Sequence, residues 1–353
     1  MPESQKIEWK ESWRDEYLKW ICGFANAQGG TLYIGKDDKG EVVGVADWKK
    51  LLEDIPNKVR DILGIVVEVN RHEKKGKTFL EIIVEAYTYP ISYKGQYHIR
   101  SGSTKQELKG AALDRFLLQK QGKKWDGVPV PKVSVSDLKP QAIDLFKSKA
   151  LKSGRLSEEA LNGNTEVLID NLRLTEGDYL KRAAVLLFHA DPERFVTGAY
   201  IKIGYFQGAE LIYQDEIHGN LIEQSDKALD LLLTKYLKAY ISYEGIQRVE
   251  KYLFPKEALR EALLNAIVHK DYASGIPIQI KVYDDRITFW NQGELPDNWT
   301  VETLKLAHPS NPFNPDIANV FFRAGLIESW GRGIEKITYE CKAHDLPAPE
   351  IQF

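Results

Sequence analysis

The stretch EALLNAIVHKDY, residues 261 to 272, restricts this chain more than any other. Its Ala, Leu and Ile content predicts a helix. Leu263, Leu264, Ile267 and Val268 are ordinary packing residues, whereas Glu261, Asn265 and His269 fall four apart and share one face. Such a helix is a core element on one side and a polar wall on the other. Phe254-Pro255 stands just upstream, near the helix start, where the missing donor of proline costs little. The fold must therefore bury half of this helix and leave the acid, the amide and the imidazole facing something polar.

The rest of the composition is permissive. A length of 353 residues allows two or three domains, and 43% hydrophobic with 28% charged residues is ordinary for a globular chain. Apolar runs such as AAVLLF are too short to cross a bilayer, and the polar start MPESQKIEWKE is unlike a secretory signal. Cys22 and Cys341 form no CxxC pair, so a reduced, cytoplasmic protein without disulfides or a thiolate metal site is expected. Charge is uneven: between Ile91 and Trp125 lie eight basic and two acidic residues, while the later part of the chain is acidic. That distribution permits nucleic-acid contact in the first domain.

Periodicity and turn signals divide the chain. Residues 12 to 28 read as a helix with Trp13, Tyr17, Trp20, Ile21 and Phe24 on one stripe, stopped by AQGG. TLYIG and EVVGV read as a hairpin through KDDKG, followed by a helix near 47 to 63 and the strands IVVEVNRH and TFLEIIVEA. A strand YHIR, an SGST loop and the helix ELKGAALDRFLLQ complete an α+β unit, residues 1–121. The Gly- and Pro-broken segment 122–137 reads as a linker, and 138–174 as a helical connector. In 175–353, RAAVLLFH and AYIKIGYFQG read as strands, 221 to 240 as a long amphipathic helix, and PIQIKVYDD with RITFWNQG as a tight strand pair.

Two glycine-bearing loops follow the 261–272 helix: Asn291-Gln-Gly293 leaving a strand, and Gly331-Arg-Gly333 opening another helix. In this order the motifs resemble the ATP-binding domain of the GHKL superfamily (gyrase, Hsp90, histidine kinases, MutL). Within that superfamily they look like the branch found in bacterial predicted transcriptional regulators, often mislabelled as helicase-related. The resemblance implies a Bergerat-type α/β sandwich over 175–353 that binds ATP and Mg²⁺. It puts Glu261 in the place of the carboxylate that activates water, and Asn265 in that of the Mg²⁺ ligand. Asn291 stands where many relatives have the adenine-accepting aspartate, and Gly293 lets the backbone approach the base. Gly331, Arg332 and Gly333 would present amides to the phosphates at a helix N-terminus, with His269 and Lys270 nearby. Leu295 replaces the second glycine of the usual DxGxG turn. The chain also ends, after LPAPEIQF, where relatives continue, so a truncated domain is expected. The sequence has no GxxxxGK[ST], which argues against a P-loop ATPase or true helicase, and a histidine kinase fits poorly because no convincing phosphoacceptor helix pair is found upstream.

ESQKIEWKES, GFANAQGGTLYIGKDDKGEVVGV and YPISYKGQYHIRSGSTKQEL resemble the Schlafen AlbA-type domain. That resemblance implies nucleic-acid binding, DNA first and RNA second. The surface expected for it comprises Arg100, Ser101, Ser103, Lys105, Lys109, Lys123 and Lys124. Some Schlafen proteins cleave RNA with three carboxylates, and Glu3, Glu8 and Asp37 match that set, with Lys10 to neutralise developing charge. The sequence thus reads as a multidomain α+β, α/β protein: an ATP-responsive, nucleic-acid-binding regulator, expected to act in transcription as a homodimer or higher oligomer, with slow ATPase activity. A metal-dependent ribonuclease and an inactive nucleotide-fold scaffold are the alternatives.

Overall fold

Two apolar cores organise the chain, one in each of two units, Met1–Lys123 and Lys124–Phe353. The computed structural model describes residues 3–237, 239–244, 247–296, 299–328 and 330–353, with 239–244 and 247–251 described by their backbone alone.

The first unit runs β1 (Ile7–Lys10), α1 (Leu18–Asn26), β2 (Gly30–Ile34), α2 (Trp48–Leu63), β3 (Glu68–Lys74), β4 (Lys77–Val84), β5 (Tyr97–Ser101), β6 (Thr104–Leu108) and α3 (Gly110–Lys120). Its sheet has the order β1-β2-β4-β3, with β1 parallel to β2 and the other pairs antiparallel. Leu51, Ile55, Val59 and Leu63 recur every fourth residue along α2 and are buried with Ile21 and Phe24 of α1 and Leu80 and Ile82 of β4. Gly29 and Gly30 turn α1 directly into β2. Gly29 has φ +72°, and a side chain at 30 would overlap the Phe24 ring. Buried Asn26 ties this corner down, accepting from Ile91 N and donating to Ile91 and His98 carbonyls, all at 2.8 Å.

Three expectations for this unit are corrected. α1 is shorter than expected and is preceded by a single 3₁₀ turn, Asp15–Tyr17. TLYIG and EVVGV do not form a hairpin of strands. An isolated Lys36–Val42 bridge and the Val43 and Gly44 amides on Gly35 O (2.9 and 3.1 Å) join them without a ladder, because Gly35 (φ +100°) and Gly44 (φ +88°) bend the chain away while β2 takes β1 and β4 as partners. Lys105 to Leu108, expected partly as helix, pair with β5 instead, since the Ser101-Gly-Ser-Thr104 turn folds the chain back onto the strand before it.

The second unit contains β7 (Pro129–Val130), α4 (Pro140–Ser153), α5 (Glu158–Asn162), α6 (Thr165–Asn171), β8 (Thr175–Glu176), β9 (Tyr179–Lys181) and α7 (Arg182–Phe188). Then come β10 (Ile201–Gln207), β11 (Glu210–Ile217), α8 (Leu221–Leu231), β12 (Ala239–Glu244), β13 (Gln247–Tyr252) and α9 (Lys256–His269). β14 (Ile278–Val282), β15 (Ile287–Trp290), α10 (Val301–Lys305), α11 (Pro315–Arg323) and α12 (Gly333–Ala343) complete it. The main sheet has the order β11-β10-β14-β15, with β10 parallel to β14. Ile201 and Ile203 of β10 and Ile278, Ile280 and Val282 of β14 face the helical layer, in which α9 buries Leu263, Leu264, Ile267 and Val268. The expected strand pair is β14–β15.

RAAVLLFH is a helix, not a strand. Ala183 through Phe188 are all fully buried, and a short run buried all round carries no period that separates the two structures. The helix expected over 221 to 240 is α8 followed by a π turn, Leu232–Tyr236; residue 238 lies outside the described residues, and 239 and 240 open strand β12 instead of continuing the helix. The segment read as a linker is engaged at its start. Trp125 stacks on Tyr272 at 6.2 Å, and buried Asp126 accepts from the Asp316 (2.8 Å) and Ile317 (3.1 Å) amides at the start of α11. An acidic side chain satisfies those otherwise unpaired donors at the positive end of the helix.

Burial first, and the nearby Asp316 carboxylate second, push Asp126 up to about 7. An acid raised on folding holds its proton more tightly in the folded than in the unfolded chain, so stability falls as pH rises between the two values. The urea midpoint is therefore expected to drop between about pH 4 and pH 7. Asp126→Asn should flatten that slope; an unchanged slope in the variant would assign the dependence to another group.

Candidate functional site

α9 begins after Pro255, whose φ of −64° suits a helix entrance, and ends as Lys270 turns extended. Its last carbonyls are held from outside: buried Asn314 donates through Nδ2 to Val268 O (2.9 Å) and Lys270 O (2.7 Å). On the face opposite the core, Glu261 is 8% exposed, Asn265 is half-buried and His269 reaches solvent. The apolar residues of α9 face the core and so aim these three the other way.

Both glycine loops meet this wall. A Cβ at Gly333 would fall 2.8 Å from Glu261 Oε1 and 2.8 Å from Asn265 Nδ2, so α12 begins against the acid and the amide. Gly331, at φ +69°, passes so close to His308 that a side chain there would overlap the His308 carbonyl oxygen. Gly293 lies against the other end of α9, where a Cβ would stand 2.8 Å from His269 O. The Asp271 amide anchors that turn on Gln292 O at 2.7 Å. Asn291 adjoins it, half-buried, with Nδ2 donating to Gln292 O at 3.3 Å.

Burial raises the Glu261 carboxyl above its usual range, and the Lys336 and Arg260 charges partly oppose that. The Lys336 ammonium stands 3.7 Å from Glu261 Oε2. Protein crowding and then the His308 ring push His269 down to about 4. The imidazole is therefore neutral at pH 7. Glu261, Asn265 and His269 therefore gather along α9 with Gly333 at one end and Gly293 with Asn291 at the other, while Gly331 rests on His308.

Two expected members point elsewhere. Lys270 is fully buried, with its ammonium 4.4 Å from the Tyr272 ring centroid and 3.4 Å from Asp271 O, so it does not face the wall as a phosphate ligand would. Burial, opposed by Asp271, lowers it to about 8. Arg332 is exposed and pairs with Glu335 at 3.0 Å. Lys336 and His308 were not anticipated. Lys336 sits one turn after Gly333, a spacing that could have pointed to it, whereas His308 lies in an irregular segment without any pattern. Of the cavities among the described residues, one of about 320 Å³ opens between Val135, Pro140 and Asn164, away from this wall. The wall itself is covered by the start of α12.

In the first unit, Arg100 is corrected from a phosphate contact to a structural residue. It is buried, its Nη1 is 2.6 Å from Glu8 Oε2, and Nη2 donates to Ser4 O (2.9 Å) and Ile7 O (3.2 Å). The Glu8 contact is a close charge pair without well-directed hydrogen-bond geometry. Lys10 bonds the other Glu8 oxygen and stands 3.8 Å from Glu3, which also accepts from Trp9 N at 3.1 Å. Asp37 Oδ1 instead accepts from Lys39 N and Glu41 N of its own turn. Among the described residues no three His, Cys, Asp or Glu side chains gather as a metal site would require. Ser101, Ser103 and Lys109 are exposed, with Lys109 paired to Glu107 at 3.2 Å, and Lys105 is half-buried. Lys123 closes the first unit and Lys124 opens the second.

Comparison with known families assigns both regions. Residues 3–109 match the family model described as Schlafen, AlbA_2. Residues 275–353 match the HATPase model described as Putative ATP-dependent DNA helicase recG C-terminal. The second match spans both glycine turns and begins after α9. The fold is also that of a Corynebacterium diphtheriae protein solved by crystallography, at TM-score 0.53 and 20% identity over 99% of this chain and 73% of that one. A solution structure of the N-terminal domain of a putative ATP-dependent DNA helicase RecG-related protein from Nitrosomonas europaea is 27% identical, covering 31% of this chain and 87% of that one at TM-score 0.24. Comparison with curated proteins returned no match. The two matched domains tie the chain to nucleotide and nucleic-acid chemistry.

The glycines differ in what opposes them. Gly333 faces the ends of two movable side chains, so Gly333→Ala should destabilise by less than about 1 kcal/mol, below the ~1–3 kcal/mol of overpacking a rigid core. It should nonetheless shift the Asn265 side-chain amide resonance. Gly331→Ala meets backbone and a left-handed φ, and should lower the urea midpoint more. An unmoved Asn265 signal in Gly333→Ala would separate α12 from the wall.

Proposed function

We propose that this chain, which joins a Schlafen AlbA-type domain to a HATPase-type domain, is an ATP-binding, DNA-binding regulator of transcription. The observation that carries the nucleotide half is the start of α12 at Gly333, set against Glu261 and Asn265. A carboxylate and a carboxamide beside the positive end of a helix suit a metal-bound anion, which enters as the start of α12 draws back from them. The donors are hard oxygens, which fits Mg²⁺ better than a softer metal. When bound, Mg²⁺-ATP supplies the γ-phosphate as electrophile. Asn265 would offer its side-chain oxygen to the ion, the amides at 331 to 333 would face the phosphates, and Asn291 with Gly293 would border the base. Glu261, raised by burial, would hold and deprotonate the attacking water once ionised. Lys336 tempers that shift and sets where the base becomes competent.

The DNA-binding half rests on the Schlafen AlbA-type match over 3–109 and on the basic stretch that ends the first unit. Nucleotide is proposed to alter how α12 lies on α9, and through it DNA affinity and self-association. Glu8, held between Arg100 and Lys10, favours this binding reading over ribonuclease chemistry, because its charge is already matched. Among the described residues no helix is long and apolar enough to cross a membrane.

Labelled ATP with Mg²⁺ should bind the wild type and Glu261→Ala alike and bind Asn265→Ala at least about tenfold more weakly, a loss of roughly 1.4 kcal/mol. Glu261→Ala should also lose turnover; equal binding by all three proteins would remove the nucleotide from this wall.

The base works only when ionised, so turnover should rise with pH through a value above the ordinary glutamate range. Lys336→Ala removes a charge that favours ionisation and should move that rise to higher pH. A rise moved to lower pH, or not moved, would detach Lys336 from Glu261 in the working enzyme.

A further inference from the structure

Trp13, Tyr17 and Trp20, read from the sequence as one stripe, are all half-exposed, with Trp13 and Tyr17 resting on the edge of the core. They form a continuous rail: Trp13 meets Tyr17 edge-to-face at 6.3 Å, and Tyr17 meets Trp20 edge-to-face at 5.5 Å. Around Trp20 stand two ammonium groups from other elements, Lys10 of β1 and Lys105 of β6, each 5.4 Å from the ring centroid. Lys10 is also 5.9 Å from the Tyr17 ring. The strand just before α1 and a strand remote in sequence thus bring two cations to one half-exposed indole.

We propose that this aromatic rail binds single-stranded nucleic acid, with Trp20 stacking an unpaired base and Lys105 meeting the adjoining phosphate. The inference rests on the nucleic-acid reading of the first unit and locates its contact surface. Lone rings on a surface need no ligand, but edge-to-face neighbours beside cations have the two components of a sequence-tolerant strand site, a stacking face and a charge for the backbone. The charges are arranged for exchange. Lys10 is tied to Glu8 and Glu3, whereas Lys105 makes no ion pair among the described residues. A phosphate can draw Lys105 away from the indole and so open the ring to a base, replacing a weak cation–aromatic contact with a charge pair and a stack. A duplex, whose bases are already stacked on one another, offers the rail nothing to stack.

The test uses the full chain and fluorescein-labelled oligothymidylate and oligouridylate of about 20 nucleotides, longer than the ~4–16 nucleotides of comparable sites. A duplex of equal length serves as competitor, and anisotropy is followed over a range of salt. Wild type should bind one or both single strands in preference to the duplex. Trp20→Ala should weaken binding by about tenfold, within the range for loss of one stacked base, and Trp20→Phe should restore most of it. Lys105→Glu should weaken binding and reduce the slope of log K against log salt by about 0.7, the loss of one phosphate contact. Should Trp20→Ala fail to fold, Lys105→Glu on the surface decides alone. Single-strand binding with unchanged affinity in Lys105→Glu, or in a folded Trp20→Ala, overturns the rail and leaves the domain's nucleic-acid reading intact. Preference for duplex also overturns it, and no binding to any of the three nucleic acids overturns both.

Discussion

The nucleotide reading depends on one close approach, that of the α12 backbone at Gly333 to the side chains of Glu261 and Asn265. α9 can present an acid and an amide there only because Leu263, Leu264, Ile267 and Val268 lock its other face into the core. α12 can come close only because its first residue lacks a side chain. Removing the apolar side would let α9 rotate; adding a side chain at 333 would displace the carboxylate and carboxamide. Neither element makes the site without the other, and their residues are about seventy positions apart in sequence.

The same economy of burial explains why Arg100 serves the first unit internally. A carboxylate removed from water, as Glu8 is, requires a partner, and breaking such a pair leaves an uncompensated charge. Arg100 supplies that partner and also holds the carbonyls of Ser4 and Ile7, so β1 is fastened to β5 through side-chain contacts. Lys10 and Lys105 stand beside the Trp20 ring instead, so the nucleic-acid surface proposed for this unit is a stacking face rather than a loop of small donors.

Much of the architecture was legible from local pattern. The period of α9, the β14–β15 pair, α2 with its fourfold-spaced apolar residues, and both glycine turns follow from spacing and turn chemistry. The misreadings share one cause. RAAVLLFH is buried on every side and so has no period to read. The KDDKG loop carries strand-like flanks, but β2 found better partners in β1 and β4. Trp13, Tyr17 and Trp20 share the stripe their spacing gives them, and packing decided that it lies at the edge of the core, half-exposed.

What the chain's residues determined by themselves is therefore local: which segments can be amphipathic helices, where glycine permits sharp turns, and which polar side chains share a face of α9. Tertiary structure alone decided that Gly333 meets Glu261, that Lys336 tempers the acid, that Lys270 turns inward to Tyr272, and that Arg100 is spent on Glu8. The division is physical. Helical spacing and turn geometry act over a few residues, whereas burial and the pairing of charges depend on distances that exist only after distant segments have packed.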